Sequence, residues 1–484
     1  MFNMNTLKEA GQLKKIIAFC GIIAFMLMLI VLYLLSSQIA MANSGPTYWQ
    51  GYPSSEVLAV DENCPIEVEG ENLVFDFSGN SSVGYNIGGQ VKASYEMINP
   101  INKDLTVQMA FPLVSSLKNF SPGNVAIIVD GKYLPYDLYI GDVASSNVNY
   151  AKQENAVSFD FKDILSTVSN QTYQAEHFSE YEKGKLYTLD VKPTTEKSIN
   201  FAVDFEIDME RTRVLTNGFN GYERSGQKVR ISAWCNQPET LEIFLLGDDI
   251  DFYVTAYTDG ELKQKTDLFT YNIQSEEGEL RPYIMDYVKS YKEAGEQLTG
   301  DLEAFNEDQL YNLYGAALDR ALTTSEGYCS LNVLIEQKYY DRVLTLVYAV
   351  DFPANSKRNV TVSYKATGTM DKTETEKPVY TFDYILNPAL SWRKFGNLDI
   401  EIITPEEAPN IVESSIEFAK ENDRHYRASL SSLPKEDLTF SIYEDEKISP
   451  LSKTYKNFRP VRSCVPILSI SNSNLPGQQT FHKL

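Results

Sequence analysis

The sequence predicts a mainly β protein: two β-sandwich-like domains with a helical pair between them or inserted into one, preceded by an N-terminal hydrophobic membrane helix. Three observations predict it. Several stretches alternate apolar and polar residues with the period of two that a half-buried strand requires. Turn-forming dipeptides separate apolar runs. One stretch, residues 280–323, changes to helical spacing. The 31 tyrosines of the 484-residue chain, many beside Val, Thr or Ile, add to the strand signal.

Residues 1–42 carry a membrane span or signal segment. Lys14 and Lys15 precede IIAFCGIIAFMLMLIVLYLL, residues 16–35, which holds no charge. A helix of that length crosses about 30 Å, the thickness of a bilayer core. Lysines before the span orient it with the N-terminus inside and the bulk of the chain outside. Ala40-Met41-Ala42 then forms a small-residue cleavage pattern. An uncleaved anchor and a signal peptide cut after Ala42 both stand open, and both deliver residues 43 onward outside the membrane.

Residues 43–276 form the first β-rich domain. Leu105, Val107, Met109 and Phe111 alternate with Thr106, Gln108 and Ala110. VAIIVDGKYLPY, residues 125–136, places Asp-Gly between apolar runs, a hairpin pattern because the tight turn needs positive φ. Residues 251–273 repeat the grammar around Asp259-Gly260. Residues 277–325 are the helical pair. Pro282 suits a first turn, Ile284, Tyr287, Val288 and Tyr291 follow helical spacing, and Leu302, Phe305, Leu310, Leu313, Ala317 and Ala321 trace a second stripe. Residues 326–448 form a second β-rich domain. KRNVTV at 357–362 echoes NKDLTV at 102–107, a short repeat that hints at two related sandwiches. Residues 449–484 hold five Lys or Arg and no Asp or Glu. This irregular basic tail reads as a disordered terminus or as the product of a reading-frame change.

LNPALSWRKFGNLDIEIITP, residues 386–405, raises a choice between a binding site and a corner. Asn387-Pro388 breaks the preceding strand, ALSWRKFG has room for about two helical turns, and a new strand starts at Leu398. The corner reading makes Trp392 a plug against the sheet, with Arg393 and Lys394 facing water.

The formal charge of −23 makes nucleic acid an unlikely partner, since such a chain repels phosphate backbones. Metalloprotease, nucleophile-elbow, Walker and dinucleotide motifs are absent. His177, His425 and His482 are the only histidines, and the first two have charged sequence neighbours that suit a surface. Cys20 lies in the hydrophobic span; Cys64, Cys235, Cys329 and Cys464 are scattered and allow three disulfide pairings.

Two candidate ligand sites and one candidate metal site remain. NGFNGYERSG, residues 217–226, offers Phe219, Tyr222 and Arg224; PTYWQGYP, residues 46–53, offers Tyr48 and Trp49. Aromatic faces and planar polar groups hold sugars and peptides; a long hairpin loop and a strand lead-in are the competing structural readings. GDDIDFY, residues 247–253, gathers Asp248, Asp249 and Asp251. Hard oxygen ligands outside the cell suit calcium, although no EF-hand loop is formed and a solvated face is the simpler account.

ANSGPTYWQGYPSS, YEMINPINKDLTVQMAFPL and YILNPALSWRKFGNLDIEIITP together resemble a group of uncharacterised extracytoplasmic, membrane-targeted β-rich proteins of Gram-positive bacteria. The resemblance spans residues 43–448. It implies an exported location and a β-rich body, and it brings no activity and no site residues.

The functional expectation is a non-catalytic extracytoplasmic binding or structural protein of the cell surface, contacting protein or glycan. A hydrolase built on acidic residues and a sensor ectodomain are the alternatives. N-terminal sequencing of protein from membrane and medium fractions decides the fate of the leader. Intact Met1 in the membrane identifies the anchor, Asn43 in the medium identifies cleavage, and in either case the body accumulates outside the cytosol.

Overall fold

The computed structural model describes residues 47–60, 64–79, 85–145, 171–291 and 302–451. The membrane segment at 16–35, the tail beyond residue 451, Cys20 and Cys464 lie outside them. Among the described residues no helix is long and apolar enough to cross a membrane.

The described chain is mainly β, in five sheets. The largest has eight strands, in the spatial order 419–420, 425–430, 395–403, 67–76, 88–98, 357–367, 125–129 and 132–133. Two smaller sheets cover its inner face. One is built around strands 379–385 and 438–443, the other around 105–115 and 341–352. Alternation sets this arrangement: Leu73, Phe75, Leu398, Ile400 and Ile402 fall on the inner face and are buried. Phe75 meets Tyr384 edge-on at 5.6 Å and Phe440 at 5.3 Å, which ties the first small sheet down. Phe111 meets Tyr364 at 4.8 Å, which ties the second.

The expected boundaries of the two β-rich domains require correction. Strand 341–352 pairs with strand 105–115 from Arg342 opposite Ser115 to Phe352 opposite Leu105. Strand 357–367 pairs with 88–98, and strand 395–403 runs parallel to 67–76. The described residues of 47–145 and the strands from 341 to 443 therefore share one sandwich and do not form two. The echoing segments at 102–107 and 357–362 are both parts of it. Period-two patterning identifies a strand and its buried face but not its partner, so chain order was a poor guide to domain limits.

The second sandwich is an insertion. Strands 269–279, 183–193, 239–247 and 212–217 form one sheet, joined in parallel by 328–330. Strands 221–225, 228–235, 199–206, 253–257 and 265–266 form the other. Leu189, Val191, Phe201, Val203, Ile231, Leu241 and Ile243 fill the space between.

Helix α1 (Leu280–Ser290), helix α2 (Glu307–Thr324) and the short α3 (Asn332–Glu336) lie between the sandwiches. Pro282 occupies the first turn of α1, where its missing N–H has no helical acceptor to lose. Leu280 N–H and Arg281 N–H donate to the carbonyls of Glu182 and Glu180. The Asn306 side chain caps α2 by accepting from Asp308 N–H at 2.7 Å. Arg281 joins the two helices: it is buried, pairs with Glu180, reaches Asp308 at 2.6 Å and lies 4.8 Å from the centre of the Tyr311 ring. Phe244 stacks on Tyr283 at 4.4 Å, and Phe305 meets Phe120 at 5.5 Å, so the helices are packed from both sides.

The 125–136 hairpin forms as expected, with Asp130 at φ 49° and Gly131 at φ 77°. The second hairpin forms with a longer connection. Tyr257 pairs with Lys265, and the loop between them is closed by the Asp259 carboxylate, which accepts from Lys263 N–H at 3.0 Å and Gln264 N–H at 2.9 Å. Leu262, not Gly260, takes the positive φ.

The 386–405 stretch is a corner. Strand 379–385, a 3-10 turn at Asn387–Ser391 and strand 395–403 follow one another, and Trp392 is buried with its indole N–H donating to Val57 C=O at 3.1 Å. Gly396 belongs to the strand and does not close a helix; a Cβ there would sit 1.9 Å from the Glu69 carbonyl oxygen. Trp392→Ala empties the plug and orphans the Val57 carbonyl. The expected loss is about 3–5 kcal/mol of unfolding free energy, measured by urea denaturation.

Candidate functional site

The insertion presents one sheet face to solvent, and that face is a groove. Strand INFAVDFE, residues 199–206, turns Ile199, Phe201, Val203 and Phe205 inward, which leaves Asp204 and Glu206 on the outer face. Strand KVRISAWC, residues 228–235, turns Val229 and Ile231 inward and leaves Lys228 and Arg230 outward. Register aligns these in rows. Glu223, Arg230, Asp204 and Tyr253 stand side by side across four strands; Ser225, Lys228 and Glu206 do so across three. Ile250 and Asp251 wall the end, and the volume of this open groove is about 680 Å3.

Charges in the groove divide into held and open groups. Arg230 grips Asp204 through two hydrogen bonds, Nε to Oδ1 at 2.7 Å and an Nη to Oδ2 at 3.2 Å. The same guanidinium lies 6.0 Å from the Tyr257 ring centre. Glu206, Glu223 and Asp251 are exposed and form no ion pair among the described residues. Tyr253 stands 68% exposed at the rim. Neither His nor Cys lines the groove. Its open carboxylates accept hydrogen bonds and donate none, so they suit a ligand rich in N–H or O–H donors.

The expected site residues are placed unevenly. Arg224 and Asp251 both line this groove, although sequence spacing put them in different candidate sites. Arg224 also has a structural task. Its guanidinium donates to the carbonyls of Ser325 at 2.8 Å and Glu326 at 2.9 Å, just past the end of α2, and pairs with the Glu326 carboxylate at 3.0 Å. It thereby satisfies carbonyls beyond the helix terminus with a cation placed at the negative end of the dipole. Phe219 belongs to the sandwich core, and Tyr222 stacks on Tyr328 at 4.4 Å. Tyr48 is buried with its hydroxyl on Gln50, and Trp49 packs 5.7 Å from Tyr85.

The three aspartates lie in the connection from strand 239–247 to strand 253–257, and they diverge. Asp248 binds Arg211, with Nε at 2.9 Å. Asp249 accepts from Lys185 at 2.7 Å and from the Tyr187 hydroxyl at 2.7 Å. Burial pushes the Asp249 carboxyl up, but these bonds outweigh it and hold the group below its ordinary value. Two of the three carboxylates are thus engaged by cations of the protein in separate places. Among the described residues no group of three or more His, Cys, Asp or Glu is placed to hold a metal ion.

Among the described residues, His177, Cys235 and Cys329 are packed into the fold. His177 is not a surface group: its Nδ1 lies 2.6 Å from Asp319, a buried carboxylate that also accepts from Tyr173 Oη at 3.0 Å and Glu176 N–H at 2.8 Å. This network staples residues 173–177 to α2. His425 Nδ1 stands 3.6 Å from Glu401. Cys235 and Cys329 are free, buried thiols, so they are not joined to each other. Burial pushes them up to about 11 and about 12, far from reactive thiolates.

Sequence reasoning missed Asp204, Glu206, Glu223, Lys228, Arg230 and Tyr253. The signal was present as charged residues at spacing two in strands 199–206 and 228–235. What it lacked was the register that brings side chains of four strands into one row.

No family model matches the sequence, and no curated protein matches it. Among solved structures, the chain is similar to a Legionella pneumophila protein described as a "putative nutrient binding protein", at 10% identity over 82% of this chain and 72% of that one. The TM-score of 0.34 is too low for the likeness to carry any argument.

Arg224→Ala leaves the carbonyls of Ser325 and Glu326, just past α2, without their cation. The expected cost is about 2 kcal/mol of unfolding free energy, with faster amide exchange at the end of α2 that Arg224→Lys only partly restores.

Proposed function

We propose that this chain is a non-catalytic binding or structural protein of the cell surface. Its N-terminal segment directs it across the membrane as an anchor or a signal, and its β-rich body works outside, as in the Gram-positive extracytoplasmic group it resembles. Its partner is a protein or glycan segment rich in hydrogen-bond donors, received on the outer face of the inserted sandwich.

The observation that carries this reading is the groove itself. It combines an acceptor-rich lining, an exposed tyrosine and a floor stiffened by the Asp204–Arg230 clamp. A sheet holds such groups on fixed spacings, which limits the entropy lost on binding. The competing hydrolase reading finds little support. The Glu56 and Glu71 carboxyls, which approach one another, are sealed in the core and closed to a substrate.

Glycan and basic-peptide arrays probed with the full-length protein in detergent test the proposal. The triple substitution Glu206→Gln, Glu223→Gln, Asp251→Asn is expected to lower capture about tenfold or more while leaving the unfolding midpoint unchanged. Undiminished capture by that variant overturns the assignment of the groove. Release of a cleaved product from any arrayed ligand overturns the non-catalytic reading.

A further inference from the structure

Where the three sheets of the first sandwich meet, the core contains acid. Ser54–Ser55 pairs in parallel with strand 379–385 of one small sheet, and Leu58–Ala59 pairs with strand 105–115 of the other. Glu56 and Val57 bridge the gap. Glu56 N–H donates to Ile385 C=O at 3.1 Å, and Val57 C=O accepts the Trp392 indole N–H. The Glu56 side chain points toward the large sheet and is 0% exposed; Glu71, on strand 67–76, is 3% exposed. The Tyr95 hydroxyl, opposite Glu71 across the sheet, donates to Glu56 Oε2 at 2.6 Å.

Around this pair the polar groups outnumber their partners. Glu56 Oε1, both oxygens of Glu71 and the hydroxyls of Tyr364 and Tyr384 are buried and accept or donate no conventional hydrogen bond. The groups acting on the carboxyls from every packed element are Tyr95, Tyr364, Tyr384 and the two glutamates themselves. None is Lys, Arg or His. Two bare carboxylates in such a place are strongly disfavoured, since burial penalises each charge and each repels the other. One proton between them removes the repulsion and supplies the missing donor.

We propose that Glu56 and Glu71 share a proton, with the Glu71 carboxyl donating to Glu56, and that this pair is a pH-responsive lock on the seam between the two small sheets. Loss of the shared proton puts uncompensated charge at the point where residues 54–59 stitch those sheets together. The lock is therefore closed in acid and loosens as the medium turns alkaline.

The direction follows from linkage. Desolvation by burial raises Glu56 to about 7 and holds Glu71 well above the ordinary glutamate value of 4.5. A group raised on folding stabilises the native state fully below its unfolded value. That stability is lost as pH rises through the folded value, so the window opens above pH 4.5 and extends past neutrality.

The test is the unfolding midpoint of the full-length protein in detergent from about pH 5 to about pH 9 at constant ionic strength. It compares the wild type with Glu71→Gln and Glu56→Gln. The wild-type midpoint is expected to fall across this range more steeply than that of either variant. A protonated-carboxyl C=O band in the wild-type infrared spectrum is expected at neutral pH, disappearing as pH rises. This second readout needs no variant and stands if a substitution prevents folding. Wild-type and variant profiles of equal slope, or absence of the band at neutral pH, overturn the proposal. So does a wild-type midpoint that a chelator lowers and calcium restores, because a cation would then occupy the proton's place.

Discussion

The structure depends on the return of the chain to its own beginning. Strands 341–352 and 357–367 zip onto strands 105–115 and 88–98 in unbroken antiparallel register. Each pairing buries alternate apolar side chains on the shared inner face, where Val107, Met109, Val360 and Val362 are all sealed from solvent. A slip by one residue would turn every one of them outward, so the hydrophobic pattern enforces this register. Everything from residue 171 to 340 must then leave and re-enter the sandwich between two adjacent strands. Loop-closure entropy grows only with the logarithm of the length enclosed, so a large insertion at that point is tolerated.

The helical layer makes the insertion part of the body. Its helices are apolar on two sides because they have two sheets to satisfy. Leu215, Phe244 and Leu246, from the back of the insertion's first sheet, join the same core cluster as Leu310, Leu318 and the first sandwich. Arg281 sits at the hinge of this layer, with carboxylates from the preceding loop and from α2 around one guanidinium. A buried arginine lacking such partners would be costly, so this site resists most substitutions.

The two polar centres of the protein differ in the solvent they see. The groove on the insertion keeps its acids in water, where like charges are screened and remain available to a ligand. The Glu56–Glu71 seam keeps its acids out of water, where the same chemistry favours neutrality and sensitivity to pH. The first is the docking face we propose and the second the pH-responsive lock we propose. Both are products of strand register and not of any contiguous motif.

Local grammar was legible in the chain. Asp130-Gly131 gave its turn because tight hairpin geometry needs positive φ. Trp392 gave its plug because a broken strand leaves a large apolar ring one place to go. The helical stretch declared itself through its spacing and through Pro282. Mainly β character came from alternation. Tertiary structure decided the rest. It put Arg224 on the end of α2, Phe219 in a core and Asp249 on Lys185. It merged two expected domains into one, and it lined up Glu223, Arg230, Asp204 and Tyr253 from four separate strands. The reason is that a strand's own residues specify which face is buried, whereas its neighbours are chosen by the energy of the whole sheet.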